Sequence, residues 1–71
     1  MLKKIREEID FLDNIIIDSL KKRFELVVKL KNFKKEVEDK TRESEILNKI
    51  DSENIKNIYL KIFEISKKIQ S

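Results

Sequence analysis

Arg23 stands where an apolar side chain is expected. Alternating steps of three and four from Leu2 pass Ile5, Ile9, Leu12 and Ile16, then Ser19 and Arg23, then Leu26, Leu30, Phe33 and Val37. A charge inside such a helical stripe costs several kcal/mol unless it is paired. Lys34 follows eleven residues later, close to the same face and about 16 Å along a helix axis. Two long cationic side chains so placed could bracket a small anion from either end. The alternative is that both snorkel to the surface or pair with Glu or Asp. For a single Lys that plainer reading is the better one, and for Arg23 the two stand even.

Further polar residues fall near the same kind of stripe. Ser66 interrupts the apolar series Ile55, Ile58, Tyr59, Ile62, Ile69, and Gln70 lies at i+4 from it, so the two share a surface. Buried Ser and Gln need hydrogen-bond partners, although a lone Ser66 could be no more than a satisfied core hydroxyl. Arg42 and Glu43 open a short apolar segment, where a surface charge pair at a helix start is the plain reading. The inward set is thus Arg, Lys, Ser and Gln, with a possible Glu. Without a nucleophile–base pair it suits anion binding and charge stabilisation better than covalent chemistry or proton shuttling.

The elements that must position these residues are helices. The first stripe predicts a helix from Leu2 to Val37. Glu38 to Thr41 has no apolar residue, and Asp39 and Thr41 can each N-cap a new helix. A short second helix is predicted over Arg42–Ile50 with Ile46, Leu47 and Ile50 inward. Asp51-Ser52 supplies the next cap, with Glu53 in the favourable first turn. A third helix then runs from Glu53 to near the C-terminus. The sequence stops at Ser71, one residue past Gln70, so the closing turn is expected to fray.

Composition agrees. Gly and Pro are absent from the 71 residues, which disfavours the tight turns of a sheet protein. Cys and His are absent too, so neither a disulfide nor an ordinary structural zinc site is available. The 17 basic residues interleave with 14 acidic ones for a net +3. That is a solvated helix surface, not a nucleic-acid stripe. The longest apolar run is Ile15–Ile17, too short to span a membrane, and the charged N-terminus lacks a signal-peptide core. A cytoplasmic protein with a single domain over 1–71 is expected.

The first helix bears on assembly. From Leu2 to Val37 it would be about 54 Å long, whereas a compact chain of this size has a radius of gyration of about 11 Å. Such a rod overhangs its own domain. A second copy of the chain is the simplest cover for its stripe.

Several segments, taken in order, resemble the all-helical class of chorismate mutases. Ile5-Arg6-Glu7-Glu8-Ile9-Asp10-Phe11-Leu12-Asp13 is similar to that family's first-helix motif. Lys22-Arg23-Phe24-Glu25-Leu26 resembles its second Arg segment, and Lys34 falls at the family's spacing after it. Arg42-Glu43-Ser44-Glu45-Ile46-Leu47 is similar to the Arg-Glu-x-x-x-Leu block of the second helix, and Ser66-Lys67-Lys68-Ile69-Gln70 to the closing Ser-x-x-x-Gln.

The resemblance implies an all-α fold: one long, one short and one medium helix per chain, forming an intertwined homodimeric helical bundle. It implies an isomerase that converts chorismate to prephenate by a Claisen rearrangement, on the route to phenylalanine and tyrosine, with no cofactor or metal. The implied catalytic residues are Arg23, Lys34, Glu43 and Gln70. Arg6 and Arg23 would clamp the two carboxylates of the substrate, each guanidinium binding bidentately. Lys34 and Gln70 would donate to the ether oxygen, and Glu43 would accept from the ring hydroxyl. Ser66 and Arg42 would contact or orient the carboxylate end, and Asp39 matches a carboxylate that precedes the Arg-Glu block. Arg6 would come from the partner chain, and helix rise agrees: Arg6 and Arg23 are about 25 Å apart on one helix. The implied partners are chorismate and a second copy, with no nucleic acid or membrane. Two alternatives are an isochorismate-pyruvate lyase on the same scaffold and a helical interaction module without catalysis.

Overall fold

The computed structural model describes residues 1–33 and 40–71. Three helices follow in order: α1 over Leu2–Leu30, α2 over Lys40–Asn48 and α3 over Glu53–Gln70. The chain is thus all-α, with one long, one short and one medium helix. No helix among the described residues is long and apolar enough to cross a membrane.

The start of α3 follows the sequence closely. Ser52 adopts extended backbone and its Oγ accepts from the Ile55 amide at 3.3 Å, which satisfies one of the orphan donors of the first turn. Glu53 sits in that turn and Lys67 and Lys68 in the last, both favourable to the helix dipole. The closing turn, expected to fray, carries two hydrogen bonds from Ser71. The Ser71 amide donates to the Lys67 carbonyl at 3.0 Å, and its Oγ donates to the Lys68 carbonyl at 3.0 Å.

The end of α1 departs from the predicted Leu2–Val37 helix. Regular helix stops at Leu30, and Lys31–Phe33 form a turn. There the Asn32 amide donates to Lys29 and the Phe33 amide to Leu30, each a tightened i→i+3 bond. Asn is a poor helix former, and such bonds satisfy carbonyls that a helix end leaves open. Phe33, predicted to lie in the stripe, is exposed. The rest of the predicted helix, residues 34–37, lies outside the described residues. α2 begins two residues before its predicted start, at Lys40. It closes through i→i+3 bonds from Lys49 to Ile46 and from Ile50 to Leu47.

Both α1 and α2 pack on α3, and among the described residues they do not pack on each other. Arg23 meets Ser66 and Lys31 meets Ser71, so α1 and α3 run in the same sense over their C-terminal turns. A chain that runs two neighbouring helices the same way needs a return leg between them, and α2 lies on it.

The core is small: Val27 from α1, Ile62 and Phe63 from α3, and the hydroxyl of Ser66 are buried. Leu20, Arg23, Phe24 and Leu30 flank Val27 half-buried, as do Ile46, Leu47 and Ile50 beside α3. The covered face of α1 is therefore Leu20-Arg23-Val27-Leu30. The predicted Leu26 is exposed, and so are Ile55 and Ile58 at the start of α3.

At 100° per residue, Leu20, Arg23, Val27 and Leu30 continue the line of Leu2, Ile5, Ile9, Leu12 and Ile16 without a break. That N-terminal half of the line is bare, with each residue 45–61% exposed. The molecule measures 50 × 24 × 15 Å with a radius of gyration of 14.9 Å, well above the ~11 Å of a compact chain this size. One stripe thus serves two purposes along its length: its C-terminal half builds the core of the chain, and its N-terminal half faces outward.

Candidate functional site

Arg23 is the best-defined polar residue of the structure. It reaches from α1 to α3, where its guanidinium donates to Ser66 Oγ at 3.0 Å. The Ser66 hydroxyl in turn donates to the Ile62 carbonyl at 2.8 Å, the i−4 bond open to a serine within a helix. With its proton committed to the backbone, Ser66 presents a lone pair to the arginine. The guanidinium carbon also lies 5.9 Å from the centroid of the Phe63 ring, within the range of a cation–π contact. Phe63 is only 5% exposed and is itself braced edge-on by Tyr59 at 5.8 Å between centroids.

The partners of Arg23 are thus a neutral hydroxyl and a ring face. Among the described residues no carboxylate forms an ion pair with it. Pairing with Glu or Asp, one form of the plainer reading of Arg23, is therefore not seen among the described residues. Its cation is held in place, half-buried, with donors left for an incoming anion.

Glu43 comes to the same end of α3 from α2. Its Oε2 lies 3.5 Å from Lys67 Nζ, with both side chains partly buried. Lys67 directly follows Ser66, so consecutive residues of α3 engage α1 and α2. Gln70 is half-buried one turn beyond Ser66, on the same face. Lys31 Nζ reaches the Ser71 carbonyl at 3.5 Å and ties the turn that carries Gln70 to the end of α1. Arg42 is exposed at the start of α2.

Arg23, Glu43, Ser66 and Gln70 are therefore gathered around the last two turns of α3. Arg6 is not among them. It is exposed on the bare half of α1, about 25 Å from Arg23 by helix rise. Lys34 and Asp39 lie outside the described residues. Sequence reasoning missed two contributors, Phe63 beneath Arg23 and Lys67 beside Glu43.

The arrangement can fix a half-buried cation, an acceptor carboxylate and an amide donor around one small polar region. That suits binding and charge stabilisation of an anion with a hydroxyl group. No curated protein and no solved structure matches the chain. The family model described as chorismate mutase type II matches residues 5–71, nearly the whole chain and all the residues gathered here, and the chain belongs to that family.

Proposed function

We propose that the chain is a working chorismate mutase that acts as a homodimer, each site completed by Arg6 of the partner chain. The observation that carries this reading is the state of Arg23: a half-buried guanidinium held by Ser66 and Phe63 with no carboxylate paired to it among the described residues. A cation kept in that condition is suited to a substrate carboxylate.

Chorismate is a dianion, and its rearrangement is unimolecular. The protein's task is to hold the reactive chair-like conformer and to stabilise charge developing on the ether oxygen. Arg23 binds one carboxylate, with Ser66 fixing its direction and Arg42 orienting the same end. Gln70 donates to the ether oxygen together with Lys34, and Glu43 accepts from the ring hydroxyl. Asp39 completes the set in front of Arg42. The roles of Lys34 and Asp39 rest on the family resemblance alone. The second carboxylate needs a cation that the chain's own Arg6 is too far away to supply. The bare stripe from Leu2 to Ile16 supports a second chain lying there, which would carry its own Arg6 with it.

The test is turnover. Purified protein with chorismate should deplete its ultraviolet absorbance and form prephenate. Pyruvate released from isochorismate would point instead to the lyase, and no turnover of either compound would leave a helical module.

A further inference from the structure

Three ion pairs are present among the described residues. Lys61–Glu64 and Lys68–Glu64 lie within α3, and each of their side chains is more than half exposed. Lys67–Glu43 differs on both counts. It joins two helices, and its partners are 34% and 22% exposed.

Glu43 sits on the helix that the core holds least. α2 contributes no fully buried residue, and among the described residues it packs only on α3. The core therefore does little to fix where a carboxylate in its first turn sits. Lys67, on the helix that also holds Arg23 through Ser66, supplies a reference point at 3.5 Å. A carboxylate that must accept from a dianionic substrate also faces like-charge repulsion, which a cation at its side reduces.

We infer that Lys67 is a positioning residue, whose ammonium fixes the Glu43 carboxylate against α3 and offsets its charge beside a dianion, so that it can take the substrate's hydroxyl. This rests on the mutase reading above. A partly exposed ion pair adds little to folding stability, so the effect belongs to turnover rather than to the melt.

The experiment is a double-mutant cycle on the full chain, with wild-type turnover of chorismate measured first. Lys67→Met keeps the apolar stem and removes the cation. It should lower kcat/KM about tenfold, the scale of coupling between contacting groups, with an unchanged melting temperature. Lys67→Arg should restore most of the loss. In a Glu43→Gln background, where the Glu43 carboxylate is gone, Lys67→Met should cost less than about twofold. Normal turnover in Lys67→Met would overturn the role. So would a full tenfold loss in the Glu43→Gln background, which would mean that Lys67 acts by a route other than Glu43. If Lys67→Met fails to fold, Lys67→Gln in both backgrounds takes its place under the same criteria. A wild-type chain without turnover would instead bring down the mutase reading itself, and the role of Lys67 with it.

Discussion

Arg23 and Ser66, 43 residues apart in sequence, meet at 3.0 Å, and the hydroxyl that receives the arginine is itself anchored by a third group. The guanidinium can only donate, and because Ser66 gives its own proton to the Ile62 carbonyl, the hydroxyl is held with a lone pair free to accept. The serine is an orienting group in the chain, not a free hydroxyl awaiting a ligand. Phe63 fixes the plane beneath the same guanidinium. Two consecutive turns of α3 thus determine where a side chain of α1 points.

Ser66→Ala should therefore act through Arg23. It removes the acceptor but keeps the buried volume nearly unchanged, and the arginine can turn to water. Hydrogen bonds to charged groups contribute about 1.5–3 kcal/mol, so kcat/KM should fall roughly tenfold or more. The same bond helps to hold α1 on α3, so the melting temperature should fall too, by about 4–8 °C for each kcal/mol lost. Steady-state kinetics and thermal circular dichroism check this; wild-type kinetics would show that the Arg23–Ser66 bond has no bearing on turnover.

Much of this was legible in the sequence, and the reasons are local. The order of three helices follows from apolar spacing without a Gly or Pro, and the Ser52 cap from its place before Glu53. Arg23 could be found because it lies on the stripe whichever way the steps are taken after Ile16. A step of three leads to Ser19, Arg23, Leu26, Leu30 and Phe33; a step of four leads to Leu20, Arg23, Val27 and Leu30. The second path is the buried one, and only the position of α3 decides between them. Phe63 is absent from the predicted stripe, which took its neighbour Ile62, and only packing shows that both are buried. Lys67 was one of 17 basic residues, and no pattern within a helix reveals a partner on another helix.

Ile9 lies at the middle of the bare stripe and is 50% exposed in the single chain. Ile9→Glu should be nearly silent for an isolated chain and disruptive for a dimer that buries the stripe, where it would leave an unpaired charge. Sedimentation should show a dimer for the wild type and a shift to monomer for the variant at micromolar concentration. A wild type that sediments as a folded monomer would count against the intertwined assembly.

Gln70→Glu should make activity rise as the pH falls. The neutral amide donates to the ether oxygen, whereas an ionised carboxylate can only accept and repels the dianion. A protonated Glu recovers the donor, and carboxyl groups protonate near pH 4 unless raised by their surroundings. Beside a bound dianion the neutral form is favoured, which lifts that value. The gain should therefore appear from mildly acidic pH downward. A rate profile as flat as the wild type's would mean that Gln70, though held by the Ser71 and Lys31 contacts, does not meet the reacting oxygen.

The shared site gives the most demanding prediction. Arg6 and Arg23 lie on one helix, about 25 Å apart by its rise, and cannot hold the same small ligand from a single chain. In the proposed dimer each pocket takes Arg23, Lys34, Glu43 and Gln70 from one chain and Arg6 from the other. Arg6→Ala and Arg23→Ala homodimers should then each be nearly inactive, because every pocket lacks one carboxylate clamp. When the two variants are unfolded together and refolded, half of the dimers should be mixed under random pairing. In a mixed dimer one pocket unites the intact Arg23 of one chain with the intact Arg6 of the other, and the second pocket lacks both. About a quarter of wild-type activity should therefore return. An Arg6→Ala homodimer that is active from the start would make Arg6 a surface residue. No recovery on mixing would mean that each pocket is built within one chain, and the bare half of α1 would then need another explanation.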